Sequence, residues 1–375
     1  MGRMILLTIH LKNFRKHFDA SLKLSNKLNF IVGPNGAGKT TILESIYYLC
    51  TNRNFNTRTD NEAVKFGERF FEVEGTIMGL TENKIKVIYS MDENKKYYFK
   101  NEKKISRPVD IIGSFPIVTL IPTDLSITKG YPGDRRKFID SILSQASDTY
   151  LKNLLDYNKI LKQRAALLFL LREKNSYQLK EELDAWTEKL IQTGIYLIEK
   201  RKQFIKEFKF FVEKAYFEIM EKEEKPDILY SFLETDTIKE KNIEDNFRNL
   251  LIKKREDEIR RAVNLVGPHK DDLIFKIDKI DLKKYGSQGQ HKTFQIALRF
   301  AEFFYLKQLT GKTPLFLLDD VFGKLDSKRA QKISNYLRKI GQAFVTVTDL
   351  ADFSYLDRNK EDVIIKVREG VVEYA

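Results

Sequence analysis

Between positions 33 and 41 the chain reads Gly33-Pro34-Asn35-Gly36-Ala37-Gly38-Lys39-Thr40-Thr41. Glycines at 33, 36 and 38 let the backbone turn where a Cβ would obstruct it, so main-chain N–H groups can converge on an anion. Glycine, four residues, glycine, lysine and threonine is the spacing of a phosphate-binding loop (Walker A) that opens a helix. Residues 33–41 are therefore expected to hold ATP. The Lys39 ammonium would reach the β- and γ-phosphates, the Thr40 hydroxyl would ligate Mg²⁺, and the helix starting near Lys39 would turn its positive end toward the anion.

Two further stretches suit the same chemistry. Leu315-Phe316-Leu317-Leu318-Asp319-Asp320 is an apolar run ending in paired acids, the Walker B pattern. Asp319 is expected on Mg²⁺ opposite Thr40, and Asp320 is the candidate to orient or deprotonate the attacking water, so Lys39 and Asp320 are the catalytic pair. Upstream, Gly286-Ser287-Gln288-Gly289-Gln290 precedes a helical pattern, and Leu325-Asp326 follows the acids. This order is similar to ABC-type ATPases, in which a Ser-x-Gly-Gln signature and an Asp in the D-loop close on the ATP of a second protomer. The resemblance implies a trans γ-phosphate cradle from Ser287, the Gly289 amide and Gln290, with Asp326 beside it. No histidine occupies the switch position, where Thr348 or Asp349 is the candidate instead.

These groups need a sheet to hold them. Leu28–Val32 reads as the strand into the loop, and a strand, loop and helix cannot complete an α/β sheet alone. Pro314–Leu318 and Ala343–Val347 are the strands expected to join it. Phe70–Ile77, Lys84–Tyr89 and Tyr97–Phe99 alternate with period two and predict an antiparallel layer. From Asp134 the spacing turns helical, with β character expected again at Glu258–Val266 and Leu273–Ile277. The fold class is therefore α/β: an ABC-type P-loop ATPase head of mixed sheet plus antiparallel β layer, with a mainly helical inserted lobe. Residues 1–130 and 258–375 would form the ATPase lobe, the latter with the signature, and 131–257 the helical lobe.

Composition narrows the setting. The 375 residues carry a formal net charge of +13, and a basic chain with an ATP site suggests a polyanionic partner. DNA contact is assigned to Arg135, Arg136 and Lys137, with Arg53 and Arg58 as further candidates; phosphate contacts need only basic groups free to reach the backbone. A single cysteine, Cys50, excludes an internal disulfide and is expected to be buried packing. The four histidines lack metal-ligand spacing, and no apolar run is long enough to span a bilayer. A cytoplasmic protein is expected.

Several stretches, in order along nearly the whole chain, resemble the RecF family of recombination mediators, related to the heads of SMC proteins. They include Leu11-Lys12-Asn13-Phe14-Arg15, the phosphate loop, Ile121-Pro122-Thr123-Asp124-Leu125, Lys129 to Asp140, Leu161-Lys162-Gln163-Arg164, Gly267-Pro268-His269-Lys270-Asp271-Asp272-Leu273, the signature and Asp319-Asp320-Val321. His291, Lys292, Lys270 and Thr123 depart from the family's usual residues. The resemblance implies an ATP-dependent homodimer that clamps duplex or gapped DNA, cooperates with RecR, helps load RecA during gap repair, and hydrolyses ATP slowly. The alternatives are served less well. SMC proteins need long coiled-coil arms and no heptad array is sustained here, an OLD-type ATPase needs a further acidic metal-binding domain, and a transport-type ATPase subunit carries the switch histidine.

Overall fold

The computed structural model describes residues 4–55, 59–174, 176–220, 224–233, 243–322, 327–348 and 359–374. Arg58, Asp326 and Asp349 lie outside the described residues. The chain divides into two compact units, one of residues 1–124, 215–222 and 296–375, the other of residues 125–214 and 223–295.

The first unit holds two sheets. β1 (Ile5–Phe14), β2 (His17–Lys23), β4 (Phe70–Met78), β5 (Glu82–Ser90), β6 (Lys95–Lys100) and β7 (Lys103–Lys104) form the antiparallel layer, in the order β2-β1-β4-β5-β6-β7. Along β4 every second residue is buried, which the period-two pattern of one covered face requires. The second sheet contains β3 (Leu28–Val32), β8 (Ile117–Leu120), β12 (Leu315–Leu318), β13 (Ala343–Val347), β14 (Val363–Arg368) and β15 (Val371–Tyr374), in the order β15-β14-β3-β13-β12-β8. Its neighbours pair in parallel except for β14 with β15, a hairpin turning at Glu369-Gly370. β3, β12 and β13 are buried at every residue, as parallel strands covered on both faces must be.

Helix α1 (Lys39–Thr51) explains how two sheets share one core. Its Ile42, Leu43, Ile46 and Leu49 meet Phe71, Val73 and Val87 of the antiparallel layer and Ile31, Leu317 and Phe344 of the parallel one. Cys50 sits in this core, as its sequence context predicted, and burial pushes its thiol pKa well up. Both late strands join β3 as expected: β13 lies directly beside it and β12 beyond β13. Helix α9 (Ser327–Lys339) links those two strands.

The second unit contains α2 (Leu125–Lys129), α3 (Pro132–Ala146), α4 (Asp148–Glu173), α6 (Ile243–Arg261) and α7 (Leu282–Tyr285). A small antiparallel sheet joins them, made of β9 (Pro226–Ser231), β10 (Asp272–Ile277) and β11 (Ile280–Asp281). Two of the unit boundaries fall inside helices, α5 (Tyr177–Ile219) and α8 (Gln288–Thr310). Borders drawn from sequence at 130/131 and 257/258 therefore differ from those of the structure, because β10 pairs with β9 and packs against α3, carrying residues 258–295 into the helical unit.

Charged pairs hold this unit's interior. Arg201, 3% exposed at its side chain, reaches Asp140 at 2.8 Å, Asp271 at 3.2 Å and the Pro268 carbonyl at 2.7 Å. Arg164 and Glu258 pair at 2.9 Å with side chains 2% and 1% exposed. Glu258 also accepts from the Leu265 N–H at 2.7 Å. That carboxylate corrects one sequence expectation. The apolar alternation over Glu258–Val266 suggests a strand, but Glu258 to Arg261 complete α6, and Glu258 anchors the turn that follows.

Candidate nucleotide-binding site and signature segment

Parallel pairing brings three strand ends to one edge. Val347 of β13 lies opposite Val32 of β3, and Leu318 of β12 opposite Val345. The phosphate-binding loop leaves β3 and the paired acids leave β12 at that edge, the carboxyl end at which open α/β sheets bind ligands. Gly33 is obligatory there, since a Cβ on it would lie 2.2 Å from the Val367 carbonyl oxygen. Gly36 and Gly38 take positive φ of 78° and 111°, and Gly38 leads directly into α1.

The Walker residues converge as the sequence predicts. The Thr40 hydroxyl donates to the Asp319 carboxylate, with its oxygens at 2.9 and 3.0 Å. Lys39 donates to the Gly33 carbonyl at 2.6 Å and the Pro34 carbonyl at 3.0 Å. Burial lowers its pKa, opposed by the charges of Asp320 and Asp319. A cavity of about 290 Å³ is lined by Lys16, Asn35, Lys39, Thr40, Asp319 and Asp320, among others. Convergent hydroxyl and carboxylate oxygens fit Mg²⁺, which takes one or two carboxylates together with substrate phosphates. Thr40 and Asp319 would hold it; bound there, the ion would neutralise charge on the phosphate oxygens.

Other groups were not apparent from the sequence. Thr346, buried in β13, donates to Asp319 Oδ1 at 2.7 Å and accepts from the Asp320 N–H at 2.9 Å. Asp320 has a φ of +49°, uncommon for a residue with a Cβ, and that hydrogen bond holds it there. Thr348, the switch candidate, is exposed. Lys16, at the turn between β1 and β2, contacts the Gly36 carbonyl. Beside the loop a larger hollow of about 910 Å³ is lined by Lys16, Pro34, Phe66, Arg368 and Val371, among others, and Phe66 is fully exposed.

The loop is braced from strands far away in sequence. Gly370 N–H donates to the Ala37 carbonyl at 3.0 Å. His17, wholly buried, sets its two ring nitrogens 2.7 Å from the Gly370 carbonyl oxygen and 3.1 Å from that of Gly38. A basic pair at a strand turn and a threonine inside an apolar run were the only signals the sequence offered for these residues.

The signature segment belongs to the second unit and is described there alone. Ser287 is exposed and caps α8: its hydroxyl accepts from the Gln290 N–H at 3.1 Å, while the Gln290 side chain accepts from the Ser287 N–H at 2.9 Å. This reciprocal capping box leaves the Gln288 and Gly289 amides of the first turn directed outward at the helix's positive end. Gln290 also donates to Glu224 at 3.2 Å.

The DNA candidates separate. Arg135 is buried, with Nε and Nη2 on the two Asp272 oxygens at 2.6 and 2.9 Å, so its guanidinium is committed inside the unit. Arg136 is half-buried and donates to the Asp271 carbonyl at 2.6 Å. The helix start that carries both packs against β10, which engages Arg135 within the unit and leaves Arg136 partly exposed. Lys137 and Arg53 are exposed. No described helix is long and apolar enough to cross a membrane.

A phosphate loop after β3, paired acids after β12 and an antiparallel layer over α1 make the first unit the head of an ABC-type P-loop ATPase. The RecF/RecN/SMC N terminal domain family matches residues 5–369. DNA replication and repair protein RecF of Salinibacter ruber is 38% identical over 93% of this chain and 86% of its own length. Its namesake from Chloroherpeton thalassium is also 38% identical, over 94% and 96%. The recombination mediator protein RecF of the RecFOR pathway, solved with ATP, superposes with a TM-score of 0.90 at 30% identity, covering 99% of this chain and 98% of that one. The Smc head domain of Pyrococcus furiosus has the same fold, with a TM-score of 0.57 at 15% identity. The chain belongs to the RecF family.

Proposed function

We propose that this protein is an ATP-driven DNA clamp of recombinational and replication-gap repair. The observation that carries the reading is the convergence of Lys39, Thr40, Asp319 and Asp320 on one cavity beside a glycine loop. Lys39 leaves the Gly33 and Pro34 carbonyls for the β- and γ-phosphates. Thr40 and Asp319 hold Mg²⁺, with Thr346 orienting the carboxylate, and Asp320 positions the attacking water. The larger hollow at Phe66, Val371 and Lys16 takes the base and sugar.

Ser287, the Gly289 amide and Gln290 then close on the γ-phosphate held by a second copy, giving an ATP-bridged homodimer. Closure brings basic surface together on DNA without reading its sequence, and hydrolysis opens the dimer. Slow turnover suits a clamp, whose output is dwell time. As a member of the RecF family, the protein would on this reading cooperate with RecR and help load RecA at gaps, in the cytoplasm.

The test is DNA binding by the whole protein at fixed salt without nucleotide, with ADP and with ATP, for wild type and Ser287→Arg, with mass followed by light scattering. ATP should double the mass and strengthen DNA binding in wild type only. If ATP changes neither quantity in either protein, or changes both proteins alike, the clamp is wrong.

A further inference from the structure

In the second unit a cavity of about 380 Å³ opens between the end of β9, the last turns of α6 and the loop leading into β10. Its wall carries three cations, Lys254, Arg261 and Lys270, and two acids, Asp257 and Asp272. Both acids are already matched: Arg260 pairs with Asp257, and Arg135 takes Asp272 with both arms at 2.6 and 2.9 Å. Arg261 and Lys270 are exposed, and neither forms an ion pair among the described residues. The hollow therefore presents unneutralised positive charge.

Its floor is rigid. Gly267 sits at φ +130°, and a Cβ there would lie 2.4 Å from the Tyr157 hydroxyl. The Tyr157 hydroxyl also bonds His269 Nδ1 at 2.8 Å, while His269 Nε2 lies 3.1 Å from the Asn264 carbonyl. The Lys270 N–H donates to the Gly267 carbonyl at 2.8 Å. Lys270 and Arg261 thus project from a braced loop and a helix end, so the backbone that carries both charges is set before an anion arrives.

We propose that this hollow is a phosphodiester subsite that seats the backbone of a nucleic-acid strand, with Arg261 forking a phosphate and Lys270 supplying a point charge beside it. It takes over in this unit the part assigned from sequence to Arg135 and Arg136, whose guanidinium groups face Asp272 and the Asp271 carbonyl. The proposal rests on the DNA-binding reading above and gives it an address.

The experiment titrates a labelled DNA duplex with the full chain in ATP at several salt concentrations. It compares wild type, Arg261→Ala/Lys270→Ala, and a charge-matched control, Lys84→Ala/Lys103→Ala, from exposed positions on the antiparallel sheet. The pocket variant should bind roughly tenfold more weakly, and its salt slope should be shallower by roughly 2, about one per lost phosphate contact. The control should follow wild type. ATP affinity and thermal stability should match in all three, because the mutated side chains are exposed. If the pocket variant binds like wild type, or the control weakens as much, the subsite is refuted while DNA binding stands. If wild type itself does not bind duplex, the DNA reading fails and the subsite with it.

Discussion

Thr346 is one side chain serving two acids. Its hydroxyl hydrogen goes to Asp319 and its oxygen accepts from the Asp320 amide, so one group aims the carboxylate proposed to hold Mg²⁺ and holds its neighbour in an uncommon conformation. Thr346→Val keeps the shape and removes both bonds. Hydrolysis should slow roughly tenfold while ATP affinity changes by no more than about threefold, since one hydrogen bond to a charged group is worth about 1.5 kcal/mol. Single-turnover hydrolysis and nucleotide titration separate the two effects. His269 makes a second prediction at this scale. Burial, reinforced by Lys270, Arg136 and Arg164, pushes its pKa down to about 4. A lowered value means the imidazole contributes stability that is present above its unfolded pKa near 6.5 and lost as pH falls through about 4. Asp271, raised to about 6 by burial against the pull of Arg201, acts with the opposite sign, so the bulk pH profile mixes the two. A difference between proteins isolates the histidine. The stability advantage of wild type over His269→Gln should shrink by about 3 kcal/mol from about pH 7 to about pH 4 in urea unfolding. Residue roles that depend on local spacing were legible from sequence, Lys39 with Thr40 above all. Thr346 and His17 were not, because each acts on a partner brought near only by sheet pairing.

Among elements, β14 decides the most for its length. It lies beside β3, and its Val367 carbonyl occupies the space where a side chain at position 33 would stand. Gly33→Ala should therefore displace either the loop or the strand. ATP affinity should fall by at least about 100-fold, with a lower melting temperature, because neither backbone can yield without breaking its ladder. Isothermal titration and a thermal melt check both. The strands that carry the site announced themselves as apolar runs, since a strand buried on both faces admits few polar residues, each of them hydrogen-bonded as Asn29 and Thr346 are. The end of α6 misled for a related reason. Ile259, Val263 and Leu265 alternate like a strand, but the chain there obeys Glu258, whose carboxylate is claimed by Arg164 and by the Leu265 amide. A buried ion pair outweighs a short hydrophobic rhythm, and no window of local sequence displays it.

For the whole molecule, the sequence conveyed two regions of differing character, and the ATPase head could be assembled from distant motifs. The borders moved because a β-ladder, β9 with β10, ties residues 272–277 to 226–231 and draws the signature segment into the helical unit. The charge of +13 is likewise only a sum: some arginines in it are spent inside, as Arg135, Arg164 and Arg201 are, and others remain for a partner. The brace on the phosphate loop has a consequence in time. His17 and Gly370 lie 353 positions apart, and the Ala37 carbonyl also depends on Gly370. A ribosome makes the glycine loop and α1 early, but the hairpin that fixes the loop emerges only after the whole of the second unit has been translated. A nascent chain therefore carries every nucleotide-contacting residue of Walker A long before it can hold ATP firmly. The braced form of the loop is therefore reached only once residues 363–374 have been made.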